Sequence, residues 1–468
     1  MSMSWDDLLN PIRVRDVLEG IGSHKVEGES RSEYERDRDR TVFSSPFRRL
    51  MGKTQVFPLD PSDFVRTRLP HSIEVATVAE GLAAQATRDV IVKKHTLTDQ
   101  QQRAISKIAE TCGLLHDIGN PPFGHAGELA IASWFGETTT GKEQISKLDT
   151  KSLPPAKDFL IFEGNAQTFR ILTNTRLLAH DRGLNLTCAT TSVARKYLAA
   201  STAADSKSDI HEIRKPGFFW SETEVFKRIA QCTSTQERRH PLTYLVEAAD
   251  DIVYCVVDIE DGLKKHLLTW EQVHVYLDNR CSGFFRGIVA NADKQMSGPT
   301  HDRHLRQSEY PQAFRVNAIS AMVRAVVGTF ESKYDLIMKG QYHKELLGDP
   351  DCAAAPFVKA CKDLLRETVF RDQEVLRLEV RGRSVIHRLM DLFWEGVSWY
   401  LEKGELSTRT YGGKLYLLIS DNYRHIFENR MKLSDGNELY YALQLVTDYV
   451  SGMTDAYACR LYKDLTNG

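Results

Sequence analysis

The chain has 468 residues, enough for two or three domains or for one large domain with additions. Apolar residues make up 42% and charged residues 26%, which excludes a wholly disordered chain; a core of the size this length allows needs no disulfide or metal staple. Lys and Arg number 61 against 63 Asp and Glu, a net charge of −2, so no global field announces a nucleic-acid or membrane partner, although a local basic surface fits within that balance.

The N-terminal run Met1-Ser2-Met3-Ser4-Trp5-Asp6-Asp7 is acidic and lacks an apolar h-region, so no secretory signal is expected. Residues 28–40, from Gly28 to Arg40, interleave Glu and Asp with Arg and read as a solvated helix face with i,i+4 pairs. Strand-like alternation is confined to two short pieces, 53–57 and 375–380. From residue 70 onward the helical period dominates. Val75, Val78, Ala79 and Leu82 recur at i, i+3, i+4 and i+7. Ile105, Ile108, Ala109, Cys112 and His116 repeat the pattern over three turns, and Leu242, Leu245, Val246, Ala249, Val253, Val256 and Val257 form a third stripe. Stretches 313–337, 357–369, 384–402 and 438–464 also read as helices. The expected fold class is therefore all-α, mostly helical, with a few short strands.

Loops rich in Ser, Thr, Lys and Pro fall at 136–156, 201–217 and 292–311. The last suggests a division into an N-terminal charged helical segment (1–40), a core (41–290) and a C-terminal helical region (300–468). No repeat or low-complexity tract stands out, and no apolar run reaches the ~18 residues needed to cross a bilayer, so no membrane partner is expected. The eight cysteines, at 112, 188, 232, 255, 281, 352, 361 and 459, form no CxxC pair. They read as reduced thiols used as small hydrophobes in a cytoplasmic protein, not as a zinc ribbon or a disulfide framework.

The chemistry-bearing residues lie on the three stripes. His116-Asp117 ends the second one, and Gly119 with Pro121 and Pro122 stops the helix there, because Gly permits the turn and Pro breaks the hydrogen-bond ladder. A neighbouring His and Asp offer one divalent cation a nitrogen and a hard oxygen. Alone, the pair has a bland reading: a helix-terminal His facing the dipole, with the Asp capping the loop. His71, just after Pro70, lies on the apolar face with Val75, Val78 and Leu82. Such a His is more often a satisfied core residue than a ligand, but it points the way a buried metal site requires. On the third stripe Glu247, Asp250, Tyr254, Asp258 and Asp261 share one helix face at three- and four-residue spacing. Like charges so spaced repel, and a cation resolves the repulsion. The pattern His71, His116-Asp117 and Asp250 is the ligand set this reading selects.

These segments resemble the HD-domain metal-dependent phosphohydrolases, and within them the bacterial deoxyguanosine triphosphate triphosphohydrolases. The resemblance rests on Ser32-Glu33-Tyr34-Glu35-Arg36-Asp37-Arg38-Asp39-Arg40, Arg48-Arg49-Leu50-Met51-Gly52-Lys53-Thr54-Gln55-Val56 and Thr67-Arg68-Leu69-Pro70-His71-Ser72-Ile73-Glu74-Val75. It continues through Gly113 to Glu128, Phe162-Glu163-Gly164-Asn165-Ala166-Gln167, Glu247-Ala248-Ala249-Asp250-Asp251-Ile252 and Asp448-Tyr449-Val450-Ser451-Gly452-Met453-Thr454-Asp455. Blocks of this length in one order, from about 30 to about 460, are highly specific.

The resemblance implies an HD-domain helical core and metal ligands at His71, His116, Asp117 and Asp250. It implies a catalytic pair, His125 with Glu128 as its acid partner. It implies substrate contacts at Gln55 (sugar), Arg68 (phosphate), Asn165, Lys196, Tyr197, Tyr254 and Asp258 (sugar and stacking region), and more weakly Glu379 (base region). Asn120 stands where the wider superfamily carries a further histidine, which favours one divalent metal ion, Mg or Mn before Fe, Co or Ni, over a di-iron centre. The implied activity is hydrolysis of dGTP to deoxyguanosine and inorganic tripolyphosphate, by attack of a water, held at the cation or by His125, on the α-phosphorus. His125 as acid for the leaving O5′ or as direct nucleophile stays open. A homo-oligomer, a hexamer, and regulation by single-stranded DNA are further implications. Two alternatives stand beside this reading: a phosphohydrolase of broader dNTP range, and a nucleotide- or single-stranded-DNA-sensing protein, against which intact ligands and a positioned His–Glu pair both speak.

Overall fold

The computed structural model describes residues 2–21, 29–57, 66–149, 154–177, 180–296 and 303–466. Its first principal helix, α1 (Arg68–Ala86), buries His71, Ser72, Val75, Ala79, Leu82 and Ala86, the apolar stripe read from the sequence. Helix α2 (Asp99–Leu115) starts at a capping box in which Thr98 and Gln101 exchange side-chain and backbone hydrogen bonds. Gly113 lets α2 lie directly on α1: a Cβ there would stand 2.5 Å from Ala76 Cα. Helices α3 (Gly124–Glu137), α4 (Gly164–Thr173) and α5 (Cys188–Val193) follow. Helix α6 (Pro241–Lys264), opened by a proline in its first turn, carries the third stripe. Then come α7 (Trp270–Met296), α8 (Arg303–Lys339), α9 (Ala355–Glu367), α10 (Gln373–Lys403), α11 (Glu438–Ser451) and α12 (Asp455–Thr466).

Two large apolar cores result. One joins α1, α2 and α6 to α7, α8 and α9, with Trp5 and Leu8 from the N-terminus. The other joins α3 to α10, α11 and α12. The first draws on residues from both sides of position 300, so the helices after the sequence-marked boundary complete the core that carries the stripes. Within α8, the stretch Glu309–Lys339 is the one helical segment among the described residues long and apolar enough to cross a membrane, at a mean hydropathy of 1.2. It buries Phe314, Ala318, Met322, Val326, Phe330 and Ile337 in the first core.

Several local expectations are corrected. Residues 375–380 lie inside α10, because Val375, Gly382, Val385, Ile386 and Leu389 supply a helical face and Asp372 caps its start. The 53–57 piece makes only one antiparallel bridge, Thr54 to Thr67. The strands that form among the described residues are β1 (Ala199–Ala200) and β2 (Pro216–Phe218), parallel, with Ala199 opposite Pro216. The 136–156 loop contains the helix Thr139–Asp149. The 292–311 loop is mostly the end of α7 and the start of α8, with 297–302 outside the described residues. The helix expected over 438–464 is two, broken at Gly452-Met453-Thr454. In the charged segment, Gly28 lies outside the described residues and Glu33–Val42 is a helix, but Asp37 is fully buried, paired with Arg13 at 3.1 Å and accepting from Thr187 N–H. All eight cysteines are free thiols, seven of them buried.

Candidate metal centre and active site

Helices α1, α2 and α6 bring four side chains to one corner. His71 Nε2 stands 3.1 Å from Asp250 Oδ1. His116 Nε2 stands 3.6 Å from the same oxygen and 3.5 Å from Asp117 Oδ2. Ligand atoms of His71, His116 and Asp117 all lie within 4.8 Å of one another. His116 Nδ1–H donates to Gly113 O at 2.7 Å, which fixes the tautomer and leaves the Nε2 lone pair facing the corner. Asp117 is held by Arg68 through Oδ2 and by Asn120 Nδ2 at 2.5 Å through Oδ1. Burial alone would raise the carboxyls of Asp117 and Asp250. Arg68 and His116 outweigh that for Asp117, and His116 and His71 hold Asp250 far below the usual carboxylate range, so both face the corner ionised. Two imidazole nitrogens and two carboxylate oxygens from three elements form a donor set that fits one borderline or hard divalent cation.

The charged face of α6 resolves residue by residue. Glu247 is engaged by Arg239, by His211 at 2.8 Å and by Lys196 at 3.5 Å, and Asp261 by Arg66. His211, Glu247 and Glu345 also cluster, but Arg239 and Lys196 already neutralise Glu247 there. Asp258 alone has both carboxylate oxygens buried without a hydrogen-bond partner, and desolvation pushes it up to about 7.

Next to the corner, α3 opens on a strained turn. Phe123 holds φ +63°, a left-handed backbone that bulky L-residues rarely adopt, and His125 follows two residues later. His125 is largely exposed and its Nδ1–H donates to Glu128 Oε2 at 2.8 Å. That hydrogen bond raises its pKa. The other oxygen of the buried Glu128 accepts from Gly164 N–H at 2.8 Å. Gly164 is the joint between the two halves of the site: a Cβ there would stand 2.2 Å from Asn120 Oδ1 and 2.7 Å from Glu128 Oε1. Asn120 orients Asp117 and Glu128 orients His125, so one backbone unit registers both.

A cavity of about 90 Å³ opens between these elements, lined by His116, Asp117, Asn165, Lys196, Glu247 and Asp250 among others. Tyr197, next to Lys196 in the chain, is buried with the Lys196 and Lys215 ammonium groups 5.7 and 5.9 Å from its ring centroid. The remaining sequence-selected residues do not line this cavity. Gln55 is half-buried with its side-chain oxygen unpartnered, Tyr254 packs toward Phe370, and Asp258 lies further along α6. Glu379 lies in a separate groove between α3 and α10, where burial raises its carboxyl. Sequence reading missed Lys215, which immediately precedes β2, its ammonium 3.0 Å from Glu163. It also missed Lys53, buried with its ammonium donating to Asn120 O and Ser451 O. Neither sits in a periodic pattern; Lys53 and Glu163 do fall within the conspicuous sequence blocks.

This helical fold and its His, His-Asp, Asp corner define an HD-domain phosphohydrolase: the HD domain family matches residues 68–159, and the phosphohydrolase-associated domain matches residues 416–464. Over 99% of both chains the sequence is 34% identical to a deoxyguanosinetriphosphate triphosphohydrolase-like protein of Listeria innocua and 34% identical to one of Synechocystis. It is 31% identical, at the same coverage, to a deoxyguanosinetriphosphate triphosphohydrolase of Yersinia enterocolitica. The chain belongs to the deoxyguanosinetriphosphate triphosphohydrolase family, and is a metal-dependent nucleotide hydrolase.

Proposed function

We propose that the chain hydrolyses dGTP to deoxyguanosine and inorganic tripolyphosphate, with His71, His116, Asp117 and Asp250 holding one divalent cation, Mg or Mn. The carrying observation is the convergence of those four ligand side chains on the corner that Gly164 registers to the His125–Glu128 pair. The name of the Yersinia relative supports the substrate. The cation supplies Lewis-acid polarisation and charge neutralisation at the innermost phosphoryl group. Arg68, Lys196 and Lys215 add positive charge around a strongly anionic triphosphate. His125, oriented by Glu128, holds the attacking water and takes its proton; the bond from phosphorus to O5′ breaks, and the leaving oxygen takes up a proton from solvent, to which His125 later returns its own. Gln55, Asn165, Tyr197, Tyr254 and Asp258 contact the sugar, with close packing at the 2′ position excluding ribonucleotides, and Glu379 reaches the base. The 41–290 core works with the 300–468 region in a cytoplasmic homo-oligomer, a hexamer, open to single-stranded-DNA regulation. Incubation with each dNTP and Mg²⁺ or Mn²⁺ tests this: deoxynucleoside and tripolyphosphate are expected, dGTP fastest. Equal rates on all four dNTPs would favour a broad triphosphohydrolase, and monophosphate with pyrophosphate would sink the cleavage position.

A further inference from the structure

The segment Asp448–Asp455 lines no part of the metal-corner cavity, yet Asp448, Ser451 O and Asp455 reach toward the site. Asp455 is 2% exposed. It begins α12, where the bland role for a carboxylate is to face its own helix dipole. Its oxygens are spent elsewhere. Oδ1 accepts from Phe123 N–H at 3.0 Å, and Oδ2 accepts from Thr54 N–H at 3.1 Å and from the Thr54 hydroxyl. Phe123 is the left-handed residue two positions before His125, and its ring fills the space that a Cβ on Gly382 of α10 would occupy, 2.7 Å from its Cγ. Thr54 precedes Gln55. From the same turn, Ser451 O accepts from Lys53, which also holds Asn120 O. One turn earlier, Asp448 accepts from Arg170 Nε and Nη2 and from Gln167 Nε2, both on α4, the helix whose first residue holds Glu128.

We propose that Asp455 is a positioning residue: one buried carboxylate ties the strained Phe123 turn to the Thr54 segment, so that the C-terminal region sets the distance between His125 and Gln55. This rests on the roles proposed above for His125 and Gln55. The hydrogen-bond pattern needs two acceptor oxygens on one residue. An amide offers one acceptor, and its NH2 would face an N–H donor on the other arm. The association of the 416–464 region with HD domains acquires a physical content: it is the outer jaw that keeps the catalytic turn from relaxing.

The test combines steady-state kinetics with amide hydrogen exchange read by mass spectrometry on the full chain. Asp455→Asn is expected to lower kcat at least tenfold and to speed exchange in peptides spanning 53–57 and 120–128, with α6 and α10 peptides unchanged. Thr54→Val removes the hydroxyl hydrogen bond of the Gln55 arm while keeping its N–H one, and is expected to raise KM severalfold while leaving kcat within twofold. Tyr449→Phe, in the same segment but bonded to Leu418 O at 3.0 Å, is expected to leave both segments and both constants unchanged. Unaltered exchange at both segments in Asp455→Asn, or a loss that Tyr449→Phe reproduces, would overturn the proposal. The exchange readout needs no substrate, so absence of dGTP turnover in the wild type would count against the activity and leave the clamp to be judged on exchange alone.

Discussion

Replacing Glu128 by Gln isolates what the carboxylate does to His125. Glu128 makes two contacts of equal length, accepting Gly164 N–H at 2.8 Å through one oxygen and His125 Nδ1–H at 2.8 Å through the other. Gln keeps the shape and the Gly164 contact through its amide oxygen, so the fold is expected to stay intact. Its NH2 then faces His125 Nδ1, which must become the acceptor, and the ring proton moves to Nε2. His125 loses its charge-assisted partner and reverses the tautomer needed to take a proton from water. A hydrogen bond to a charged group is worth about 1.5–3 kcal/mol, which corresponds to a drop in kcat of roughly 10- to 150-fold. The same contact raises the His125 pKa, so the pH midpoint of kcat assigned to it should fall toward the ordinary imidazole value in the variant. Tripolyphosphate release measured between pH 5 and 9 reads both effects. A kcat within twofold of wild type together with an unmoved midpoint would refute the pairing as the source of His125's activity.

His71→Ala and Asp250→Ala each remove a donor from the corner and are expected to abolish metal retention as well as turnover; wild-type metal content by elemental analysis would show the ligand assignment to be wrong. Asp258 is raised to about 7 in the folded chain against an ordinary unfolded carboxyl. Its folded state therefore binds more protons, and its contribution favours folding at low pH and is lost as pH rises from about 4 through 7. Asp258→Asn should make the metal-free protein more stable near pH 8, by up to about 4 kcal/mol, and flatten the pH dependence of Tm; an unchanged slope would contradict this. Gly119→Ala would place a Cβ 2.2 Å from both Gly164 O and Thr168 N, so a loss of several °C in Tm with loss of activity is expected, and wild-type values would show that the joint has slack.

How much of this was legible in the sequence depended on periodicity. The stripes carrying Val75, Ile108 and Val253 are core faces of long helices, and burial every three or four residues writes itself into the chain. His71, His116 and Asp250 were readable because each rides on one of those stripes. Residues 375–380 misled because Leu376, Leu378 and Val380 alternate locally, while the governing contacts, Val385, Ile386 and Leu389 in the second core, come later. Lys215 was invisible because it sits just before a three-residue strand whose partner has two residues, too short to leave a period in the chain. The strain at Phe123 and the carboxylate of Asp455 were equally hidden: their meaning lies in contacts 332 residues apart. Asp37 shows the reverse error, a charge read as solvated that the fold buries against Arg13.

The central claim is attack by water on the innermost phosphorus of dGTP, beside the His71, His116, Asp117 and Asp250 corner. Turnover in ¹⁸O-labelled water, followed by mass spectrometry of both products, tests it directly. The label is predicted in the tripolyphosphate and not in the deoxyguanosine. Label at the 5′-hydroxyl, or labelled monophosphate accompanied by pyrophosphate, would contradict it.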